Sequence, residues 1–338
     1  MKQKRAYFQT IFAAAALLVL ILDGKTAVSA GAEAVNMCIR VLIPSLFPFF
    51  VFSPLLTSGM TGKIRALSPL RKLLRLPDGS ESILVVSFLG GYPVGAAAVA
   101  HSCRKGDLQE EDARRMLAFC SNAGPSFLFG IGAQLFPNVW YCWLIWLIHI
   151  MSALLVGVLT PGSGGRLKDN CSKPISMTYA LRQGISIMTA VCGWVVLFRI
   201  LIGFLDRWFF WAIDDNIRRI FCGILELANG CYLLVGTQNA GYQLTLFSTF
   251  IGFGGLCVWL QTNSVADSVD TSLYLPGKIT QGAFSLLLSS AAQIVLPLSS
   301  RYYPPLWVLL AAAIICAIYP IFLAKSKKRC GNLRAVGV

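Results

Sequence analysis

The chain has 338 residues, of which 56% are apolar and only 13% charged. A soluble domain averages about 25% charged residues, so the composition excludes an ordinary soluble globular protein before any motif is read. The formal charge is +14, but the bases sit beside apolar segments, at Lys2–Arg5, Lys63–Arg75 and Lys325–Arg334, where they orient a membrane protein and meet anionic lipid; the expected partner is a lipid bilayer and not nucleic acid.

A spanning helix needs about 20 mostly apolar residues. Tyr7 to Leu22 is the first candidate, read as a retained helix although Val28-Ser29-Ala30 looks like a small-residue cleavage site. Val35 to Leu56 is the second, with Pro44, Pro48 and Pro54 tolerated as membrane helices tolerate proline. From 61 to 77, basic residues among leucines predict a surface helix on the cytoplasmic face.

Ile83 to Ala100 is apolar but broken by Gly90-Gly91-Tyr92-Pro93-Val94-Gly95, which cannot continue a regular helix. A charged bend, Arg104 to Arg115, is expected on the cytoplasmic side, with Asp107 capping a new helix. That helix meets a second break, Ser121-Asn122-Ala123-Gly124-Pro125, and Ser126 to Phe136 completes the crossing. Val139 to Thr160 spans, with Trp140 and Trp143 in an interfacial belt. A Gly/Ser/Lys loop at 161–178 divides the chain at its midpoint.

The pattern then recurs. Tyr179 to Leu205 spans, and Asp206 to Arg219 is interfacial on the far face. Ile220 to Gly236 is interrupted at Asn229-Gly230, and Tyr242 to Thr262 at Gly252-Phe253-Gly254-Gly255. Asn263 to Thr280 is expected as a cytoplasmic loop, followed by spans at Phe284 to Leu298 and Leu306 to Ala324. The predicted regions are 1–34 (first helix and loop), 35–160 (first repeat), 161–178 (loop), 179–262 (second repeat) and 263–338 (last helices and basic tail).

The expected fold is therefore all-α and polytopic, with about eight crossings. Each half would hold one re-entrant hairpin and one broken helix. Three crossings would separate the two hairpins, so the halves would form an inverted repeat, the arrangement that marks a transporter site. Helices restarting at mid-membrane expose free N–H groups and the positive end of their dipoles. The candidate site is Gly91, Tyr92, Pro93, Gly95, Ser121, Asn122, Gly124, Ser126, Glu226, Asn229, Gly230, Gly254 and Gly255, converging on an anionic or hydrogen-bonding solute. The plainer reading of Gly91-x-x-x-Gly95 is close helix packing. Glu226 and Arg199 lie in apolar runs, where an ionisable residue is a functional candidate; the alternative is that Glu226 pairs with Arg199 or Arg219, while Arg40 is structural.

Other chemistry finds little support. The 11 cysteines contain no Cys-x-x-Cys pair, so neither a disulfide framework nor a metal site is implied. His101 and His149 are the only histidines, and no nucleophile–base–orienter set accompanies them, so the protein is not expected to be an enzyme. Gly24-Lys25-Thr26 has Val19 where a phosphate loop needs glycine, and Gly277-Lys278-Ile279-Thr280 fails too. No cofactor is expected.

Three motifs in order, Ile43-Pro44-Ser45-Leu46-Phe47-Pro48-Phe49-Phe50-Val51, Gly91-Tyr92-Pro93-Val94-Gly95 and Ser121-Asn122-Ala123-Gly124-Pro125-Ser126-Phe127, resemble the YlbJ type of sporulation integral membrane proteins, in the nucleoside-recognition or gate-domain superfamily. The resemblance covers roughly residues 35 to 325. It implies an endospore-forming bacterium, a fold similar to concentrative nucleoside transporters, and a role in forespore maturation and the spore cortex. The implied cargo is a small anion, dipicolinate foremost, with a nucleoside or no cargo as alternatives. Protein partners, a second copy or other sporulation membrane proteins, follow only from the resemblance. Relatives often carry Asn-Pro where this chain has Gly124-Pro125.

Overall fold

The computed structural model describes residues 2–59, 64–160, 162, 175–296 and 298–335. The midpoint loop lies mostly outside that set, as do Lys63 and the side chains of both basic termini. All regular structure among the described residues is helical: α1 (Lys2–Leu22), α2 (Gly24–Met37), α3 (Ile43–Gly59), α4 (Ser68–Leu73), α5 (Glu81–Leu89), α6 (Val94–Arg104), α7 (Glu110–Leu117), α8 (Pro125–Leu135), α9 (Trp140–Leu159), α10 (Met177–Trp208), α11 (Asp215–Leu225), α12 (Leu227–Tyr232), α13 (Ala240–Phe253), α14 (Gly255–Val265), α15 (Tyr274–Val295) and α16 (Leu306–Ala335).

Five helical stretches among them are long and apolar enough to cross a membrane: Gly24–Leu55, Trp140–Leu159, Met177–Trp208, Ala240–Val265 and Leu306–Ala324. Their outer faces stay apolar, with Trp307, Leu310, Ile314 and Ile318 of α16 all exposed. Such a surface belongs in lipid, since a soluble monomer rarely exposes so large an apolar patch. The chain is a multi-pass integral membrane protein.

The interruptions have local causes. Pro44 lacks the N–H that would reach the Arg40 carbonyl, and its ring crowds that carbonyl. The helix widens to a π turn at Cys38–Leu42, where the Ile43 N–H bonds the Cys38 carbonyl instead, and α2 runs on into α3. Val28, Ser29 and Ala30 all lie within α2, with Ala30 buried against Gly203 of α10. Between α7 and α8 the backbone is unwound. Gly124 is extended (φ −75°, ψ 154°), as the residue before a proline prefers, and Pro125 opens α8, where its missing N–H costs nothing. α7 starts at Glu110 after Gln109, not at a capping Asp107.

The first interrupted segment of each half folds back on itself. α5 and α6 turn at Gly90–Pro93, so close that a Cβ on Gly95 would lie 2.9 Å from the Ser87 Cα. α11 and α12 turn at Glu226 (φ −145°, ψ 122°). This corrects the expected break at Asn229-Gly230: both residues are inside α12. Glu226 is extended because its carboxylate caps α12, accepting the N–H groups of Ala228 (3.0 Å) and Asn229 (2.7 Å), as N-cap residues do. Gly230 is a packing glycine, its Cα side 2.7 Å from the Gly223 N for an added Cβ. α13 ends at Gly254, which takes the left-handed conformation (φ 84°) that costs any other residue more, and α14 restarts at once.

A second correction concerns Asn263 to Thr280. Its last seven residues form the first two turns of α15, and Lys278 and Thr280 are buried. Pro276-Gly277 reads as a loop, yet proline is tolerated in a first helical turn. α15 packs between α13 and α9, while α10 packs along α2 and α3. With 22 residues, α15 has about 33 Å of length at 1.5 Å per residue, and only its polar residues exclude it from the apolar set.

Loop contacts fall into two groups. Arg104 pairs with Asp267 (3.7 Å) and Arg114 with Asp270 (2.8 Å), so the 266–273 turn lies against the 104–115 bend. Asp23 pairs with Arg207 (3.0 Å), and Ala240 N donates to the Ser300 hydroxyl (2.9 Å). Cysteines at Ser268 and Asp214, in a background without native thiols, are expected to react with an impermeant reagent from opposite faces of the membrane. Reaction of both from one face would rule out the expected eight-crossing topology.

Candidate functional site

The four interruptions meet. A Cβ on Gly124 would lie 2.9 Å from the Gly91 Cα, so the first hairpin tip and the first unwound stretch touch backbone to backbone. Tyr92 leaves that tip and crosses to the other half. Its ring lies against Gly254, 3.2 Å from an added Cβ, and its hydroxyl donates to the Ile251 carbonyl (2.9 Å). Gly255 in turn lies against Leu227 N at the second tip, 3.2 Å from an added Cβ.

Lys278 enters this junction from α15. It is fully buried, with its Nζ donating to Gln281 Oε1 (2.6 Å), Asn122 Oδ1 (3.3 Å) and Tyr92 Oη (3.3 Å). The Nζ also lies 5.0 Å from the centre of the Tyr92 ring, within cation–π range. No ion pair to Lys278 occurs among the described residues. Its three N–H groups therefore meet neutral oxygens only.

The network continues on both sides. Gln281 Nε2 donates to Asn122 Oδ1 (3.1 Å), and Asn122 Nδ2 donates to the Phe119 carbonyl (2.8 Å). The Ala123 N–H of the unwound stretch donates to His149 Nε2 (3.0 Å), which puts the proton of a neutral ring on Nδ1. Ser285 of α15 donates to Ser152 of α9 (2.9 Å). The buried hydroxyls of Ser121 and Thr262 both approach the Tyr274 hydroxyl beside this network.

A small cavity lies among the interruptions, lined by Tyr92, Gly124, Glu226, Ala228 and Gln261. Its volume is about 40 Å³, room for a water or two, whereas ligand pockets run to about 300–1,000 Å³.

Of the sequence-derived candidates, Gly91, Tyr92, Pro93, Asn122, Gly124, Glu226, Gly254 and Gly255 stand at the junction. Gly95 lets α6 approach both Ser87 of α5 and the Cys120 carbonyl that leads into the unwound stretch, and Gly230 serves the close packing of α12 on α11. Ser121 is buried beside Asn122. Ser126 is half-buried in the first turn of α8 and does not line the cavity. Asn229 faces a separate cavity, though its side-chain amide donates to Glu226 (2.7 Å). Glu226 pairs with neither Arg199 nor Arg219: Arg199 holds Glu33 (2.5 Å) and Asp206 (3.7 Å), and Arg219 holds Asp215 (3.9 Å). No group of three potential metal ligands occurs among the described residues.

Sequence reasoning missed Lys278, Gln281 and the role of His149. The signal was present, because Lys278, Gln281, Ser285, Ser289 and Gln293 repeat at helical spacing in an otherwise apolar stretch, and all five are buried.

The chain is similar to the sporulation integral membrane protein YlbJ of Bacillus subtilis (strain 168), 28% identical over 154 residues, which is 44% of this chain. The aligned stretch spans 38% of that protein's length. The likeness supports the YlbJ family that the three motifs suggest. No family profile matches the chain, and no solved structure does.

A methyl group at the junction is expected to act through sterics. Gly124→Ala pushes a Cβ onto the Gly91 backbone, and Gly254→Ala forces a left-handed alanine against Tyr92. Each should cost about 1–3 kcal/mol, the usual range for overpacking, seen as a lower melting temperature in detergent. Gly193→Ala, inside α10 with nothing within 4 Å of the new Cβ, should not lower it.

Proposed function

We propose that the protein is a secondary transporter that moves a small anionic solute across a bacterial membrane by alternating access around the four interruptions. The observation that carries this reading is Lys278: a buried lysine amine with no carboxylate beside it, at the point where the chain breaks of both halves meet. A protonated amine there lacks a counter-charge, and a carboxylate solute supplies it. Intramembrane ionisable groups typically mark substrate or ion pathways, and paired interruptions in two halves point to a transporter's site. His149 and the Asn122 amide add donors for a carboxylate.

The proposed topology has eight crossings, formed by α1, α2–α3, α7–α8, α9, α10, α13–α14, α15 and α16. The α5–α6 and α11–α12 hairpins enter from opposite faces, giving an inverted repeat of the gate-domain kind. The two groups of loop contacts support it, because they alternate along the chain as eight crossings require. The acidic turn at 266–273 meets Arg104 and Arg114, so its carboxylates are paired on the basic face. The likeness to a sporulation protein and the three motifs make forespore maturation the setting, a forespore membrane the location, and dipicolinate the leading cargo. A neutral nucleoside would leave the Lys278 charge uncompensated.

One observation favours a second reading, a non-transporting structural sporulation protein: the 40 Å³ cavity holds no cargo unless the junction opens. Replacement of Lys278 by methionine separates the two. Removing an unpaired buried amine relieves its desolvation cost and offsets the loss of its bonds to Tyr92, Asn122 and Gln281, so the inserted yield of Lys278→Met should hold. Losing a hydrogen bond to a charged group costs roughly 1.5–3 kcal/mol, so the apparent affinity for labelled dipicolinate in proteoliposomes should fall about tenfold or more. Full uptake by Lys278→Met would remove the lysine from transport. Absence of dipicolinate and uridine counterflow in the unmodified protein would favour the structural reading.

A further inference from the structure

A second cavity of about 410 Å³ lies between α2, the π turn, α10, α11 and α12, and its walls carry five ionisable side chains: Glu33, Arg40, Arg199, Asp206 and Arg218. Their charges do not cancel. Asp206 is held by Arg218 (2.7 Å) and Arg199 (3.7 Å), and Glu33 by Arg199 (2.5 Å). Both carboxylates are thus engaged by two of the three arginines. Arg40 has no ion pair among the described residues, which leaves the walls with one net positive charge.

The position of Arg40 is fixed by the π turn that Pro44 imposes, within the apolar run Gly24–Leu55. An arginine there is tolerated when it faces a water-filled space, and this cavity is the space it faces. π turns are frequent at functional sites. The volume falls in the range of small-molecule pockets, about 300–1,000 Å³, ten times that of the inner cavity. The floor is thin. Asn229 lines the large cavity, Glu226 lines the small one, and the two are joined by the 2.7 Å bonds from the Asn229 backbone and side chain to the Glu226 carboxylate.

We propose that this cavity is the access site of the transport path, a vestibule that takes a small carboxylate anion at Arg40 before the Glu226–Asn229 partition opens to Lys278. The proposal rests on the transport reading for its place in a path. The vestibule's preference for anions stands on its own and is measured without turnover.

The test places a single cysteine at Asn36, which is exposed and lines the cavity, in a protein otherwise free of thiols and reconstituted in vesicles. The probes are the anionic sulfonatoethyl and cationic trimethylammonioethyl methanethiosulfonates, with a cysteine at the exposed Trp211 as reference. One unit charge about 6 Å away in water changes each rate about threefold, in opposite directions. The anion-to-cation rate ratio at Asn36→Cys should exceed the reference about tenfold, fall to it in Arg40→Gln, and return in Arg40→Lys. Millimolar dipicolinate should slow the reaction. A ratio equal to the reference, a ratio unmoved by Arg40→Gln, or no reaction from either face would overturn the vestibule. None of these results depends on whether Lys278→Met abolishes uptake.

Discussion

The arrangement depends on keeping one lysine amine inside a membrane protein without an acid beside it. Removing a charge of that size from water costs several kcal/mol even after relaxation. Lys278 tolerates the transfer because three oxygens and an aromatic face replace its hydration. Each comes from a different device. Gln281 is one helical turn away on α15. Asn122 is available because the backbone before Pro125 is unwound. Tyr92 is delivered by the turn at Gly90–Pro93. A regular helix through the Asn122 or Tyr92 segment would remove the oxygen it supplies, so the breaks and the lysine require one another.

The same economy of polar contacts orders the helices around it. α13 and α15 lie against each other through Gln293, which donates to Thr245 (2.7 Å) and accepts the Tyr302 N–H (2.8 Å). α9 joins through Ser152 and His149. Between apolar helices in lipid there is little hydrophobic drive to associate, so small residues and interhelical hydrogen bonds carry the contact. The glycines at 124, 230 and 252 meet backbone or a serine where a larger residue would not fit. The tryptophans of α9 do the opposite work: Trp140 and Trp143 are exposed, as an interfacial belt requires.

Much of this was legible in the sequence, because glycine and proline announce breaks by their own chemistry. Gly91, Gly124 and Gly254 fall where the backbone departs from a helix. The misreadings have a common origin. Asn229-Gly230 resembles a turn but continues a helix, because the turn is made by a side chain, the Glu226 carboxylate capping α12. Pro276-Gly277 resembles a loop but opens α15. In both cases the deciding interaction is a terminus, and helix ends are set by capping contacts that composition does not reveal. Lys278 falls at the end of the stretch expected as a cytoplasmic loop. Only the polar stripe below it, at helical spacing, argues otherwise, and it becomes compelling once Asn122 is known to lie opposite.

The completeness of the Lys278 shell has a consequence for binding strength. An ammonium group has three hydrogens to give, and all three are already committed to Tyr92, Asn122 and Gln281. The protein is in this sense its own competitive inhibitor. An incoming carboxylate gains only the difference between its bond and the one it displaces, and the freed amide of Asn122 or Gln281 must find a new partner at the same moment. That discount lowers affinity while leaving selectivity intact, since a neutral solute would gain nothing from the exchange. A carrier must let go of what it picks up, and a lysine that can return to its internal oxygens has somewhere to go when the cargo leaves.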